Sequence, residues 1–217
     1  VQEVYDLAAD MGGMGFIESN HSIILQNSLR INLNLLAASV EFKIKKFFFS
    51  SSACVYPDYA QTQAGEFTPN LKESDAWPAD IRSNAYGFEK LVMEEACKWT
   101  AHDYSHLEVR IARFHNIYGP QGTWKGGREK APAAFCRKTI CNDEVFPMWG
   151  DGEQTRSFCL VDDCVEGVIR IMRSDCSEPL NLGSDRLISM NDMAKLCLSF
   201  EGKSLRFEHI PGIRYSA

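Results

Sequence analysis

Apolar residues along this chain come in alternating short and long stretches, and the alternation outlines its elements. VYDLAA reads as a short buried strand running into a turn of small residues, and MGGMGF as the glycine-rich loop after it. From about Ser22 to Val40, the residues Ile23, Leu25, Leu29, Leu33, Leu36 and Ala37 recur at helical spacing. In KKFFFSSSACVY the phenylalanines form a buried strand with serines at its carboxyl end. The polar PDYAQTQAGEFTPNLKESDAWPAD, with its prolines and glycine, is a loop. SNAYGFEKLVMEEACKWTAH predicts a second helix, capped by Asn84 or Ser83. LEVRIARFHNIYGP is a strand that ends in a turn at Gly119 and Pro120. Strand, helix, strand, helix, strand is the order of a parallel sheet with crossover helices.

After Pro120 the pattern changes. QGTWKGGREKAPAAFCRKTI is a basic, glycine-rich loop entering a helix. VFPMWGDGEQTRSFCLVDDCVEGVIRIMRS gives two short strands around a turn, then a helix from Asp162. PLNLGSDRLISMNDMAKLCLSF gives a strand and a helix that Ser189 can cap, and RFEHIPG begins another strand. The expected organisation is α/β, with one part over residues 1–122 and a smaller α/β subdomain over residues 123–217. Ligands of open parallel sheets bind beyond the carboxyl ends of the strands. The Ala8–Ala9 turn, the SSSAC run and the FHNIYGP turn should therefore face one crevice.

Charge and cysteine usage narrow the partners. The 23 basic and 29 acidic side chains leave a net charge of −6, so neither nucleic acid nor an anionic membrane is an expected partner. No apolar run reaches the length of a membrane span, and no charged-then-apolar leader opens the chain. The first residue is Val, which reads as a processed chain or a fragment. None of the eight cysteines has Cys-x-x-Cys or zinc-finger spacing. Most, such as Cys97 and Cys197, sit in apolar runs and read as reduced core cysteines of a cytoplasmic protein. His102 and His106 read as surface residues, and no metal is expected.

Four groups of residues carry candidate chemistry. Tyr86 and Lys90, four apart on a helix, share a face; a nearby ammonium favours phenolate and makes the tyrosine an acid or base for an alcohol–ketone redox step. Ser50, Ser51 and Ser52 at a strand end can hold a substrate oxygen, and Cys54 beside them can remove a carbon-bound proton if its pKa falls. Lys125, Arg128, Lys130, Arg137 and Lys138 crowd five cations into fourteen positions before and within a helix starting near Ala131 and Pro132, which suits a pyrophosphate. Arg156, after Gly150–Asp–Gly, can also grip phosphate, but that glycine pair is no dinucleotide fingerprint.

Together DLAADMGGMGFIESNHS, SSACVYP, LKESDAWPA, AYGFEKL, RFHNIYGPQGTWKGGREKAPAAFCRK, MWGDGEQTRSF and EPLNLGSD resemble the extended short-chain dehydrogenase/reductase family of nucleotide-sugar enzymes. Within it the chain is most similar to members that invert two carbons of a GDP-hexose. The resemblance implies an incomplete Rossmann-like parallel sheet, NAD as cofactor and GDP-mannose as substrate. It implies oxidation at C4 with Tyr86 as base, Lys90 in support and Ser52 on the oxygen. Cys54 and Lys130 would then remove and return protons at C3 and C5, Lys130 with a pKa lowered by cationic neighbours. Reduction at C4 would give GDP-L-galactose, or GDP-L-gulose where C5 alone inverts, on a route to ascorbate and cell-wall sugars. Cofactor contacts carry over to Ala8, Ala9, Tyr86, Lys90 and Phe114. Substrate contacts carry over to Gly12, Ser52, Ala53, Cys54, Asn116, Glu129, Lys130, Ala131, Lys138, Gln154, Thr155 and Arg156. The whole parent would be a homodimer.

The family's opening strand, Gly-x-Gly-x-x-Gly turn and acidic residue have no counterpart in this sequence. Arg214 matches the first of two family arginines, and a length change lies between Pro78 and Asn84. Without the phosphate-binding half, the chain is expected to bind NAD poorly, to leave VYDLAA as an exposed sheet edge and to be inactive by itself. Two other readings stay open: another epimerase, dehydratase or decarboxylase of the family, and a non-catalytic remnant that binds a GDP-sugar or a full-length homologue.

Overall fold

Three consecutive phenylalanines set the layers. In the computed structural model, which describes residues 1–57, 71–80 and 84–211, β2 (Lys46–Ser52) carries Phe47, Phe48 and Phe49 with no exposed surface. Side chains alternate across a strand. Phe47 and Phe49 accordingly pack with Leu36, Met93, Cys97, Val109 and Ile111 on one face, while Phe48 packs with Ala112, Cys164, Val168 and Met172 on the other. A strand covered on both faces reads as a continuous apolar run, and here it lies inside a parallel sheet. The serines counted as its terminus are its last three residues.

β1 (Glu3–Asp6), β2, β3 (Glu108–Phe114) and β8 (Leu180–Leu182) form that sheet in the order β1-β2-β3-β8, every pair parallel. Among the described residues β1 pairs only with β2, so one of its sides is open. The first crossover holds α1 (Met14–Ser19) and α2 (His21–Glu41). MGGMGF is thus not all loop: the amides of Phe16 and Ile17 donate to the Gly13 carbonyl and start a helix there, with Ile17 buried. The buried side of α2 is Ile24, Ser28, Asn32, Leu36 and Ser39, while Ile23 and Leu33 of the predicted stripe are about half exposed. Small and polar residues let α2 close onto the next helix, so the packed face lies to one side of the apolar one.

That helix is α3 (Ala85–Asp103). Asn84 caps it, its side chain accepting from the Gly87 amide. Ser83, the other candidate cap, lies outside the described residues. Gly87 is required by a close approach: a Cβ there would collide with the Cys54 carbonyl oxygen of the 3-10 turn Ala53–Val55. Gly87→Ala is expected to cost about 1–3 kcal/mol from overpacking, read as a lowered urea midpoint at unchanged m-value.

A second polar layer crosses the sheet. Arg113 of β3 donates Nε (2.9 Å) and Nη2 (2.7 Å) to the two carboxylate oxygens of Glu94 on α3, and Nη1 to the Tyr56 hydroxyl and the Glu73 carbonyl. Ser51 donates to the same Glu94, and both members of the ion pair are fully buried.

Beyond Gly122 the chain forms α4 (Ala131–Cys141), β5 (Val145–Trp149), α5 (Val161–Arg173), α6 (Met190–Phe200) and β10 (Arg206–Ile210). β5 and β10 pair in parallel over a core of Phe135, Phe146, Met148, Met193 and Leu198. Four short strands in two pairs lie between the parts. β4 (Ile117–Tyr118) pairs with β7 (Cys159–Leu160), and β6 (Thr155–Ser157) pairs with β9 (Leu187–Ser189). Ser189 caps α6, accepting from the Asp192 amide at 3.0 Å. β8 and α5 return to the main sheet and its core. All eight cysteines are free. No helix among the described residues is long and apolar enough to cross a membrane. Arg214 lies outside them.

Candidate active site

β2 delivers Ser52 to the carboxyl edge of the sheet, and the following 3-10 turn presents Cys54. The Ser52 hydroxyl accepts from the Cys54 amide at 3.2 Å and adjoins both the Cys54 thiol and the Tyr86 phenol. Tyr86 enters from the first turn of α3, buried against Ile17, Ile24, Phe16 and Cys54. The strand-end serine, the thiol and the tyrosine therefore meet.

The electrostatics differ from expectation. Burial pushes the Tyr86 phenol well above the usual tyrosine range, and Cys54 and Glu89 add to the effect. Lys90 does not counter it. Its ammonium lies 5.7 Å from the Tyr86 ring centroid, nearer to Glu89 Oε1 at 3.6 Å, and burial lowers its own pKa. Burial also raises the Cys54 thiol, although Ser52, Lys130 and Arg156 pull the other way. Both groups rest protonated. Lys130, at the N-terminus of α4, is lowered as expected, but desolvation is the cause rather than cationic neighbours; Cys54 and Cys164 oppose the shift. Cys54 and Lys130 each feel the other's charge, which puts thiol and amine in one neighbourhood.

The loop before Lys130 is locked to the opening of the chain. Gly13 N–H donates to the Arg128 carbonyl at 3.1 Å, and a Cβ on Gly13 would stand 2.5 Å from the Glu129 carbonyl oxygen. Arg128 pairs with Asp10 at 2.9 Å and lies over the Phe16 ring. Arg137 pairs with Glu129 at 2.8 Å, Lys138 donates to the Pro147 carbonyl at 2.7 Å, and Lys125 lies over Trp124. The five cations expected as one patch are thus divided among separate partners, because Asp10, Glu129 and the β5 backbone reach them first.

The remaining predicted residues are placed as follows. Ala53 begins the 3-10 turn before Cys54, and Ala131 begins α4 after Lys130. Gly12 packs against Phe16. Asn116 adopts left-handed φ of 47° and donates to the Ser157 carbonyl at 2.9 Å, tying the β3 turn to β6. Gln154 donates to the Trp149 carbonyl, Thr155 stands opposite Ser189 on β9, and exposed Arg156 faces Cys54. Phe114 ends β3, its ring 6.2 Å from Phe48. Ala8 donates to Asp6 Oδ1, and Ala9 lines a cavity of about 360 Å³ with Asp10, Asn27, Arg30 and Ile31.

Four residues were not legible as site residues. Glu18 faces Cys54 with Oε1 buried and unpartnered, Cys164 faces Lys130, and Asp6 and Glu89 face Lys90. Only Glu89 offered a signal, as the neighbour of Lys90. The Cys54 shift has a direct consequence. At pH 8 iodoacetamide is expected to label exposed Cys136 and Cys141 well before Cys54, as peptide mass spectrometry would show, because the thiolate is the reacting form.

Residues 1–183 match the NAD dependent epimerase/dehydratase family. The chain belongs to that family. Among curated relatives of this epimerase/dehydratase chain, GDP-mannose 3,5-epimerase of Arabidopsis thaliana is 58% identical over 212 residues, 98% of this chain and 55% of that one. GDP-mannose 3,5-epimerase 1 of Oryza sativa subsp. indica is 57% identical over the same shares. The chain spans about half the length of these relatives. In fold it is similar to the UDP-glucose 4-epimerase of Thermotoga maritima solved with UDP-glucose: TM-score 0.82, 25% identity, 98% of this chain and 65% of that one.

Proposed function

We propose that this chain carries the catalytic and sugar-handling part of a GDP-mannose 3,5-epimerase, with residues 1–122 on the cofactor side and 123–217 on the nucleotide-sugar side. The observation that carries the reading is that Cys54, packed against Tyr86, and Lys130 lie close enough for each to feel the other's charge. Inversion needs one group to remove a carbon-bound proton and another to return it on the opposite face. A 4-epimerase has no need of such a pair. The 57–58% identity to proteins of that name supports the same substrate.

The residues present fit the reactive end of NAD. Lys90 Nζ and Asp6 Oδ2 are buried without hydrogen-bond partners, and the cavity beside Ala9 opens at the end of β1. Ala8, Ala9, Tyr86, Lys90 and Phe114 would hold that end; the sequence holds no glycine-rich pyrophosphate turn. When bound, the dinucleotide accepts and returns a hydride at C4. Tyr86, which rests protonated, has to give up that proton first; as phenolate, with Ser52 on the oxygen, it takes the C4 hydroxyl proton and later gives it back. The C4 carbonyl acidifies the hydrogens at C3 and C5. Cys54 and Lys130 act there from opposite sides: burial favours the neutral amine at Lys130, which can take a proton, and the thiol at Cys54, which can give one. Asn116, Glu129, Lys138, Gln154, Thr155 and Arg156 surround the nucleotide-sugar side, together with Gly12, Ala53 and Ala131. Exposed Ile23, Ile31 and Leu33 on α2 and Trp99 on α3 suit pairing of two copies.

Calorimetry with GDP-mannose tests the binding half of this reading. Saturable binding that weakens at least tenfold in Arg156→Ala is expected. UDP-glucose binding as tightly as GDP-mannose would favour another member of the family.

A further inference from the structure

Behind Tyr86 lies a buried charge cluster whose protonation the steps above leave open. Asp6 ends β1, Glu89 and Lys90 follow each other on α3, and all three are at most 1% exposed. Lys90 Nζ is 3.6 Å from Glu89 Oε1 and 4.7 Å from the centre of the Phe49 ring on β2. From α2, Ser28 faces Glu89, and Asn32 follows one turn later, both without exposed surface. Both oxygens of Glu89, Oδ2 of Asp6, Nζ of Lys90 and the side-chain amide of Asn32 have no hydrogen-bond partner.

The charge count is the point. The charged groups acting on Lys90 are Glu89 and Asp6, and Cys97 adds only a thiol; Glu94, further along α3, is matched by Arg113. The charged residues of β2 and α2, Lys46, Arg30 and Glu41, are not among the groups acting on Lys90. Two carboxylates and one ammonium would leave a net negative charge in a dry interior, which is strongly disfavoured unless one proton is kept. The two acids are not equivalent. Asp6 Oδ1 accepts the Ala8 amide at 3.4 Å, whereas Glu89 accepts no backbone donor. A carboxylate with an amide donor keeps its charge more readily.

We infer that Asp6 and Glu89 share one proton around the Lys90 ammonium, with Glu89 the protonated member, and that this pair is the device that positions the lysine beneath Tyr86. Lys90 is then held by one full counter-charge rather than two, and stays free to turn toward a further acceptor. Asp6 and Glu89 act through Lys90 and are positioning residues. Burial pushes the Glu89 carboxyl up to about 7, with Asp6 adding to the shift, and raises Asp6 as well. The sign follows: Glu89 binds its proton more tightly folded than unfolded. Its contribution to stability is present below the ordinary glutamate range and is lost as pH rises through about 7. Lys90, lowered by burial, acts in the opposite sense at higher pH.

The value of this device to turnover rests on the reading of Tyr86 and Lys90 given above; the proton itself does not. The test is a carboxyl-carbon NMR titration of the chain with labelled glutamate and aspartate, from pH 4 to pH 9. One glutamate is expected to titrate near neutrality, well above the ordinary glutamate value of about 4.3. Glu89→Gln removes that signal. Asp6→Asn lowers its midpoint by about one pH unit, since a like charge has gone, an effect that a merely structural aspartate would not produce. Were every glutamate of the wild-type chain to titrate below pH 5.5, or the neutral-range signal to survive Glu89→Gln, the inference would be overturned. The wild-type titration decides even if a variant fails to fold. A neutral-range Glu89 in a protein that never exchanges protons at C3 or C5 would sink the epimerase reading and leave the carboxyl pair standing.

Discussion

Arg113→Met is expected to destabilise the chain by about 3–5 kcal/mol, because it strands the Glu94 carboxylate in a dry interior. The native pair is bidentate, and Ser51 adds a hydrogen bond to the same carboxylate. Desolvation by burial would lower the Arg113 pKa, but the hydrogen bonds and charge of Glu94 outweigh it and hold the guanidinium firmly cationic. Removing one partner costs more than removing both. Glu94→Leu combined with Arg113→Met is therefore expected to recover much of the loss, as apolar replacements of buried pairs often do. Urea unfolding of the two single variants and the double variant forms the cycle that measures this. A single variant within 1 kcal/mol of wild type would show that water reaches the pair.

Cys54→Ser is expected to reduce deuterium incorporation at C3 and C5 of GDP-mannose by roughly 10²–10⁴-fold, the range for loss of a proton-transfer group. Oxidation at C4, followed as NADH absorbance, should persist, because Tyr86 and Ser52 remain. Lys130→Met is expected to give the same pattern. Exchange in D₂O is read by proton NMR with NAD supplied, in a protein extended by the family's opening strand and glycine-rich turn. The two readouts separate this pair from the redox pair. Exchange that is unchanged in either variant would remove that residue from the chemistry and favour a family member acting at C4 alone.

The layers were legible from residues with strong, local signals. Three phenylalanines between lysines and serines make a buried parallel strand, and Asn84 and Ser189 each stand where an N-cap belongs. The buried face of α2 was not legible, because Ser28 and Asn32 pack inward while Ile23 stays out, and apolar periodicity cannot foresee a polar face that serves another polar cluster. At the site, spacing found Tyr86 with Lys90 and composition found the basic loop. The pKa directions at Tyr86 and Cys54 were not readable, since they depend on desolvation and on Glu89, which only the packed structure supplies. The loop cations were dispersed by Asp10 and Glu129, partners whose reach no linear pattern gives.

Gly87 joins α3 to the turn that carries Cys54 with no room for even a methyl group between them. Phenol, serine hydroxyl and thiol therefore ride on one rigid body. Lys130 arrives on a different element, the start of α4. A shift of α3 at the sheet edge would carry phenol and thiol together, whereas Lys130 is tethered elsewhere, through the close approach of Gly13 to the neighbouring Glu129 carbonyl.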